Sequence, residues 1–278
     1  MRRHLAGLDH AVIAVRDLER ARQFFERIGF TLTPRGVHSL GSQNHCIVFE
    51  RDYLELLAVP RPHPALEYFT DFLARGEGLA AIALATPDAA AAHAELAAAG
   101  IAADPPLDFS RPVTLPGGAR DAAFRIVQLP VAETPGCRAF LCQHFTRELV
   151  WRAEHQSHAL GATGIAALAV VAEEPARAAR SYARLFDSDP QRIDEGLLIA
   201  TGSAPIACAA RGRLGHRLAG VELPARSRPL VAALFIRVAD RARAAEVLRR
   251  GGVAPVMLAD GSFGVHAGDA HGVALVFG

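Results

Sequence analysis

One unit recurs four times along the chain, and this repeat constrains the fold more than any other feature of the sequence. Each copy consists of an apolar strand, an acidic residue, an alanine-rich helix and a turn. The copies are LDHAVIAVRDLERARQFFERIGF at 8–30, LAAIALATPDAAAAHAELAAAGI at 79–101, IAALAVVAEEPARAARSYARLFD at 165–187 and VAALFIRVADRARAAEVLRRGGV at 231–253. The matched spacing in all four copies predicts one structural module used four times, rather than four unrelated strand–helix pairs.

The ends of each predicted helix are marked in the same way in every copy. The acidic residue that precedes the helix is Asp17, Asp88, Glu174 or Asp240. A carboxylate there accepts hydrogen bonds from the first free N–H groups, so we predict that these residues begin the helices. Twelve positions further on lie Gly29, Gly100, Phe186 and Gly252. Three of these four are glycine, as expected where a helix ends in a left-handed conformation.

Short strand-like segments follow each helix and complete a βαβββ module. They lie at 30–34, 44–49 and 53–59; at 124–128 and 138–145; at 196–201 and 205–209; and at 253–257, 264–266 and 273–277. A helix covers only one face of such a sheet, so the other face needs a partner. The sequence therefore predicts an α+β fold in which modules one and two pair, modules three and four pair, the sheets are curved and mixed, and the helices lie outside.

The segments between modules suggest where the chain divides. Modules one and two are joined by 60–78, with a predicted short helix at 66–74, and modules three and four are joined by 211–229. The segment 146–164 is polar and rich in histidine, which is typical of a domain boundary. We expect an N-terminal domain at 1–155 and a C-terminal domain at 156–278.

Composition excludes several classes of partner. The 278 residues include 30 basic and 29 acidic side chains, and the net charge is +1. Nucleic acids and membrane surfaces need a basic excess, so we expect neither as a partner. No apolar run reaches the roughly 20 residues that cross a bilayer. Without an export signal the four cysteines, Cys46, Cys137, Cys142 and Cys208, are expected to be reduced thiols in a cytoplasmic protein.

Four segments of the first half carry a family resemblance. They are LDHAVIAVRDLERARQFFERIGF, the segment 44–49, YLELLAV at 53–59 and FLCQHFTRELVWR at 140–152. Together they resemble glyoxalase-like members of the vicinal-oxygen-chelate superfamily. The resemblance implies that paired modules form a cup, that a divalent metal commonly lies inside it, and that the ligands come from first and last strands. It also implies a substrate that presents two adjacent oxygens to the metal, although the fold alone does not choose the reaction.

The first-strand ligand position lies seven residues before each acidic residue and is filled by His10, Ala81, Ala167 and Ala233. Only the first module offers a donor there. The last-strand position of the fourth module is Val276, which is also apolar. We therefore predict that any metal or chemistry belongs to the N-terminal half and that the C-terminal cup is structural or binds a ligand without metal.

Glu55 is the second predicted ligand and the predicted catalytic carboxylate. Side chains alternate along a strand, so Tyr53, Glu55 and Leu57 share one face of their strand. A carboxylate among leucines must be solvated, paired or metal-bound, because burying it alone is costly. A salt-bridged or solvent-facing Glu55 and a core His10 are the alternatives to a metal site.

The third ligand is expected on the last strand of module two, where Gln143 and His144 point to opposite faces. Imidazole binds divalent metals better than an amide does, so His10, Glu55 and His144 form the predicted set. Gln143 takes the inward position if the strand is shifted by one residue, and we assign it to substrate binding. His38 and Asn44 are further substrate-binding candidates, with a surface or turn role as the alternative.

Two functions follow from these residues. The first is a metal-dependent lyase, isomerase or dioxygenase that acts on a small molecule with vicinal oxygens and uses Zn, Fe, Mn, Ni or Mg. The second is a metal-free protein of the same fold that binds and sequesters a small molecule. Ala81 favours the second, because it removes a donor that paired modules usually have. A small-molecule ligand and a homodimer are the expected partners.

Overall fold

A computed structural model describes residues 2–115, 117–226 and 229–278. The described residues form sixteen strands and six helices. The strands are β1 Leu8–Ala14, β2 Gly36–Val37, β3 Gln43–Val48, β4 Tyr53–Ala58, β5 Gly78–Ala85, β6 Leu107–Leu115, β7 Gly118–Gln128, β8 Arg138–His144, β9 Ala162–Val171, β10 Gln191–Ile193, β11 Gly196–Ile199, β12 Ile206–Ala209, β13 Leu230–Val238, β14 Val256–Met257, β15 Phe263–Val265 and β16 Ala274–Phe277. The helices are α1 Leu18–Arg27, α2 Glu67–Arg75, α3 Ala89–Ala98, α4 Pro175–Phe186, α5 Arg211–Arg217 and α6 Arg241–Arg250.

The strands form two eight-stranded mixed sheets with the same plan. The first has the order β2-β3-β4-β1-β5-β8-β7-β6, and the second has the order β10-β11-β12-β9-β13-β16-β15-β14. In each sheet the first strands of two modules meet at the centre and run antiparallel, β1 with β5 and β9 with β13. Modules one and two therefore share one sheet and modules three and four share the other, which confirms the predicted fold class.

The acidic residues of the repeat stand at the helix starts. Asp17, Asp88 and Asp240 are N-cap residues whose side chains accept hydrogen bonds from backbone N–H groups of the first turn. Glu174 occupies the same place before α4 but makes no such bond, and Glu is not among the residues favoured at this position. The predicted helix starts are thus confirmed in all four modules, and three of the four carry a true side-chain cap.

The glycines after the helices also have the predicted conformation. Gly29, Gly100 and Gly252 have φ angles of 95°, 67° and 75°. In the third module Phe186 is still helical, and Asp187 takes the left-handed position with φ 50°. The third module therefore keeps the left-handed turn after its helix, but one position later and with an aspartate instead of a glycine.

Several segments differ from the sequence prediction. The segment 30–34 is not a strand, whereas β6 and α5 were not expected. β6 lies at the edge of its sheet and has exposed residues and Pro112, so it lacks the alternating apolar pattern of a half-buried strand. The sheet curls far enough for the N–H of Ser39, after β2, to donate to the carbonyl oxygen of Ser110 in β6 at 3.0 Å.

The two concave faces are filled differently. The convex faces and most of the helices contribute to one continuous apolar core that spans both halves. On the concave face of the second sheet, Leu214 of α5 with Leu218 and Val221 packs against Ala233 and Val276. The chain itself thus fills the C-terminal cup, while the N-terminal cup contains a cavity. No helix among the described residues combines the length and the apolar character needed to span a membrane.

Candidate active site in the N-terminal cup

Alternate residues of the central strands line the cavity of the N-terminal cup. They are His10 and Val12 of β1, Tyr53, Glu55 and Leu57 of β4, and Arg138, Phe140 and Cys142 of β8. Aromatic and apolar residues of β6 and β7, including Phe109, Phe124 and Ile126, form the opposite wall. The period of two along each strand therefore turns polar and apolar side chains of distant segments toward one space.

The imidazole of His10 contacts its neighbour Asp9 on the side away from Glu55. The pairing of β1 with β5 shifts register between Leu8 and His10, so Asp9 lies at an irregularity of the strand. The Asp9 carboxylate is buried, and its Oδ1 lies 2.7 Å from Nδ1 of His10. The His10 ring also stacks on Tyr53, with centroids 4.2 Å apart. These contacts fix the ring so that Nε2 faces Glu55 Oε2 at 3.6 Å.

Asp9 is suited to remain ionised in this position. Burial alone would raise the pKa of its carboxyl, but hydrogen bonds and charge interactions with His10 and His144 outweigh burial and lower the pKa below its usual range. An ionised Asp9 accepts the Nδ1 proton of His10, so the lone pair is on Nε2, where the Tyr53 hydroxyl lies 3.5 Å away. Such a carboxylate–histidine pair is the usual arrangement behind a metal-bound imidazole.

Glu55 is a buried carboxylate without a lysine or arginine partner among the described residues. Its side chain is 7% exposed and pairs only with histidines: His10, and His38 with Nε2 3.7 Å from Oε1. The amide of Asn44 donates to Glu55 Oε1 at 2.6 Å. Burying a carboxylate is costly unless its negative charge is balanced. Glu55 is therefore suited to bind a cation or to accept a proton from the cavity.

His38 lies beside Glu55 and is held by Ser42. Its Nδ1 is 2.8 Å from the Ser42 hydroxyl. Burial lowers the pKa of His38, and the charge of Arg111 acts in the same direction, while Glu55 opposes both. His38 is therefore neutral near pH 7 and can accept a proton at Nε2.

His144 reaches this site only through Asp9. In module one Glu55 pairs with Val12, and the corresponding pair in module two is Phe140 with Ala83. His144 lies four residues beyond Phe140, at the end of β8 that adjoins the start of β1. Its Nε2 is accordingly 3.0 Å from Asp9 Oδ1. The structure places His10 and Glu55 side by side and His144 on the other side of Asp9.

Gln143 lies on the opposite face of β8 and does not line the cup, contrary to its expected role in substrate binding. Its Oε1 accepts from the N–H of Ala89, and its Nε2 donates to the carbonyl oxygen of Pro87, each at 3.0 Å. Gln143 therefore caps the N-terminus of α3. The strand is not shifted by one residue, so the inward residue is His144.

Two separate sets of side chains in this region could bind a metal ion: one pair and one set of three. The Nε2 of His10 and the Oε2 of Glu55 are 3.6 Å apart, close to the roughly 3.0–3.4 Å between two ligands with bonds of about 2.1 Å. Elsewhere in the described residues, Asp9, Cys142 and His144 have ligand atoms that all lie within 4.8 Å of one another. Burial, followed by the charges of Asp9 and Glu55, raises the pKa of the Cys142 thiol, so Cys142 is protonated unless an ion displaces the proton.

The sequence did not identify Asp9, Arg111 or Arg138 as site residues. Strict alternation puts Asp9 on the face opposite His10, and only the irregularity in β1 brings its carboxylate back. Arg111 lies on the unrecognised β6, and Arg138 lies on the inward face of β8. The one signal in the sequence was parity: Arg138 is an even number of residues from His144, so it shares its face.

Comparison with known proteins shows the family of the chain. Residues 8–186 match the family model described as a glyoxalase-like domain. The chain belongs to the glyoxalase-like domain family. The resemblance deduced from the sequence is therefore confirmed. No curated protein sequence matches the chain.

Solved structures with the same fold extend over the whole glyoxalase-like chain. A hypothetical protein from Staphylococcus aureus has a TM-score of 0.69 at 14% identity, with 98% of each chain covered. A mutant 4-hydroxymandelate synthase from Streptomyces coelicolor has a TM-score of 0.62 at 15% identity, over 99% of this chain and 92% of that chain. A fusion of a xylose isomerase-like TIM barrel with 4-hydroxyphenylpyruvate dioxygenase has a TM-score of 0.58 at 16% identity, over 98% of this chain and 49% of that chain. At these identities the likeness shows the fold alone.

Proposed function

We propose that the N-terminal cup is the active site of a metal-dependent enzyme of the lyase, isomerase or dioxygenase type. Its substrate is a small molecule with two adjacent oxygen atoms. The observation that carries the proposal is the buried pair of His10 and Glu55, which faces the cavity with Asp9 behind the imidazole. One fold relative, the fusion protein whose name includes a dioxygenase, is consistent with an enzyme of this type.

His10 Nε2 and Glu55 Oε2 would supply two ligand atoms to a divalent ion. When bound, the ion supplies Lewis acidity toward the oxygens of the substrate. Asp9 keeps the proton of His10 on Nδ1, and Asn44 holds the Glu55 carboxylate in place through its 2.6 Å hydrogen bond. Both side chains line the cavity, so substrate oxygens could reach an ion held there.

His38 or Glu55 would accept the proton that is removed from the substrate. His38 is neutral near pH 7 and can take a proton from the substrate, and the Glu55 carboxylate, 3.7 Å from its Nε2, would stabilise the resulting charge. The aromatic wall of Phe109, Phe124 and Phe140 limits the access of water to this pair. His38 and Asn44 are also the polar groups best placed to contact the substrate.

A second candidate is a protein of the same fold that binds a small molecule without chemistry. Module two favours it, because Ala81 and Phe140 stand at the positions where His10 and Glu55 stand in module one. Half of the ligand positions in the cup are therefore apolar. A metal held by two protein atoms binds more weakly than one held by four.

Metal analysis of protein purified without chelators separates these candidates. We expect one divalent ion per chain in the native protein, loss of the ion in His10→Ala, and retention in His45→Ala. His45 is the matched control, because it is a buried histidine of the same sheet whose Nδ1 contacts the carbonyl oxygen of Thr33. Circular dichroism checks that both variants are folded.

The outcomes have different meanings. A native protein without metal, which also fails to take up Zn²⁺, Mn²⁺, Fe²⁺, Ni²⁺ or Mg²⁺, contradicts the metal-dependent enzyme and favours the binding protein. If Cys142→Ala rather than His10→Ala loses the ion, the metal belongs to the group of Asp9, Cys142 and His144. In that case the assignment of His10 and Glu55 as ligands is wrong.

A further inference from the structure

Arg111 is a buried arginine in the wall of the cup that has no described partner. The residue is 6% exposed, and its side chain lines the cavity. No hydrogen bond or ion pair of its guanidinium exists with the described residues. Charged side chains are almost never buried without a partner, because leaving water is costly for the ion. The buried guanidinium that lines the cavity is therefore suited to bind an anion.

The position of Arg111 results from the curvature of the sheet. β6 approaches β2, and the Arg111 side chain passes over Gly36. A Cβ atom at position 36 would lie 3.2 Å from Arg111 Nη1 and 2.3 Å from Asn44 Oδ1. A side chain at position 36 would collide with Asn44 and crowd Arg111, so Gly36 lets both side chains lie at this place in the cup. Arg111 is thus held next to the proposed active site.

The charges of the cavity wall also favour an anion. Among the described residues that line the cup, Arg111 and Arg138 are the two arginines and Glu55 is the one carboxylate. Arg138 donates to the amide oxygen of Gln128 at 2.7 Å and lies over the Tyr68 ring, and its Nε has no partner. Neither arginine has a carboxylate within 4.0 Å among the described residues. The arginines exceed the carboxylates by one positive charge, even before any metal ion enters.

We infer that the substrate or ligand of the cup is a small organic acid whose carboxylate binds Arg111. This inference rests on the proposed function for the location of the site, and it adds the chemical class of the ligand. A guanidinium offers two parallel N–H donors, which match the two oxygens of a carboxylate. The apolar part of the acid packs against Phe109 and Phe124, whose rings are stacked with centroids 5.0 Å apart.

A carboxylate fits this cup better than a phosphate ester. The anion next to Arg111 also lies near Glu55, and Asn44 joins the two sites. The lining side chains carry an excess of one positive charge, which the single charge of a carboxylate balances, whereas a phosphate with up to two charges would leave a negative excess beside Glu55. Aromatic side chains form this wall, so an arylalkyl acid is the simplest probe.

Isothermal titration calorimetry with three probes tests the inference on the full chain. The probes are 3-phenylpropionate, its neutral amide and phenyl phosphate, each at up to millimolar concentration. We expect the acid to bind about tenfold or more tightly than the amide, since a lost charged hydrogen bond changes affinity by this order. The preference should remain after treatment with a chelator, because the carboxylate binds Arg111 rather than a metal.

Variants identify the residue that is responsible. Arg111→Gln should remove the preference for the acid, and Arg111→Lys should keep part of it. Arg120→Gln is the matched control, because Arg120 lies on the same hairpin with its side chain exposed, and it should behave like the native protein. If Arg111→Gln does not fold, the comparison of acid with amide on the native chain still decides.

Four results would overturn the inference: equal affinity for acid and amide, tighter binding of phenyl phosphate, an acid preference that survives Arg111→Gln, or no binding of any probe. The metal measurements remain separate. A protein without metal that prefers the acid contradicts the proposed enzyme and supports the role of Arg111. A protein with metal at His10 that shows no preference for the acid supports the proposed enzyme and contradicts the role of Arg111.

Discussion

A single carboxylate oxygen of Asp9 contacts histidines from both modules of the N-terminal half. Asp9 Oδ1 lies 3.0 Å from Nε2 of His144, which is 135 positions away in the sequence, and 2.7 Å from Nδ1 of His10. Both rings donate to it if Asp9 is ionised, as its lowered pKa indicates. Asp9 therefore sets the tautomer of each ring and links the end of β8 to the proposed ligand His10.

Asp9→Asn should loosen His10 while leaving the fold intact. An amide has one accepting oxygen and a donating nitrogen, so it cannot replace the charged acceptor between two rings. We expect metal affinity to fall about 10- to 100-fold, which is typical for the loss of a carboxylate behind a ligating histidine. Nitrogen-15 NMR of the imidazoles should show that His10 no longer keeps its proton on Nδ1.

The control for this variant is Asp88→Asn, which changes an exposed aspartate at a helix start far from the cup. Unchanged metal affinity and an unchanged His10 tautomer in Asp9→Asn would mean that Asp9 has no role in orienting the ring.

Gln143 and His144 are neighbours in the sequence that lie on opposite faces of β8. A variant of Gln143 should change stability, whereas a variant of His144 should change binding in the cup. Gln143→Ala removes the cap on Ala89 and should lower the free energy of unfolding by about 1 kcal/mol, with no change in the affinity of the cup for ligands. His144→Ala changes the partner of Asp9 and should alter binding in the cup. Urea unfolding and calorimetry on both variants check this. A change in ligand affinity for Gln143→Ala would contradict its position on the convex face.

The four helix starts provide a comparison within one chain. Asp88 accepts hydrogen bonds from the N–H groups of Ala90 and Ala91, while Glu174 makes no side-chain cap bond. Asp88→Ala should therefore destabilise the protein by about 1 kcal/mol, and Glu174→Ala by at most a few tenths. Chemical denaturation measures both. Equal effects would show that charge near the helix terminus, rather than the hydrogen bond, is what matters.

The repeat allowed the module plan to be predicted because each module carries strong local signals. Asp17, Asp88 and Asp240 precede helices for the same chemical reason, and Gly29, Gly100 and Gly252 follow them with positive φ. These signals need only residues close in sequence. The inward side of β4 and β8 could likewise be reasoned from alternation, which is why Glu55 and His144 were expected inside the cup.

The sequence could not give the contacts that depend on register between distant strands. His144 was expected beside Glu55, but the pairing of β5 with β8 puts Phe140 at that position and brings His144 to Asp9. The irregular pairing at Asp9 breaks the alternation rule itself. Arg111 was missed because an exposed edge strand has no apolar pattern to reveal it.

Asp52 joins the two halves of the chain through a buried carboxyl group. It follows the turn before β4, is 3% exposed, and accepts a hydrogen bond at Oδ1 from the N–H of Ile165 in β9 at 2.9 Å. Arg237 approaches the other oxygen only to 4.0 Å. Burial raises the pKa of Asp52 to about 6 from the ordinary value of 3.8, although the hydrogen bond from Ile165 and the charge of Arg237 oppose this.

This raised pKa makes the stability of the chain depend on pH. The folded state binds the Asp52 proton more tightly than the unfolded state, so the resulting stabilisation is fully present below pH 3.8 and is lost as the pH rises through about 6. A difference of roughly two pKa units corresponds to about 3 kcal/mol.

Asp52→Asn keeps an accepting oxygen for Ile165 and cannot ionise. It should therefore remove this fall in stability and leave the variant more stable than the native protein above about pH 7, by up to about 3 kcal/mol. Urea denaturation between about pH 4 and pH 8 measures the effect, with the exposed Asp121→Asn as control. A variant whose stability follows the same pH curve as the native protein would show that Asp52 stays ionised throughout and that the interface between the halves tolerates its charge.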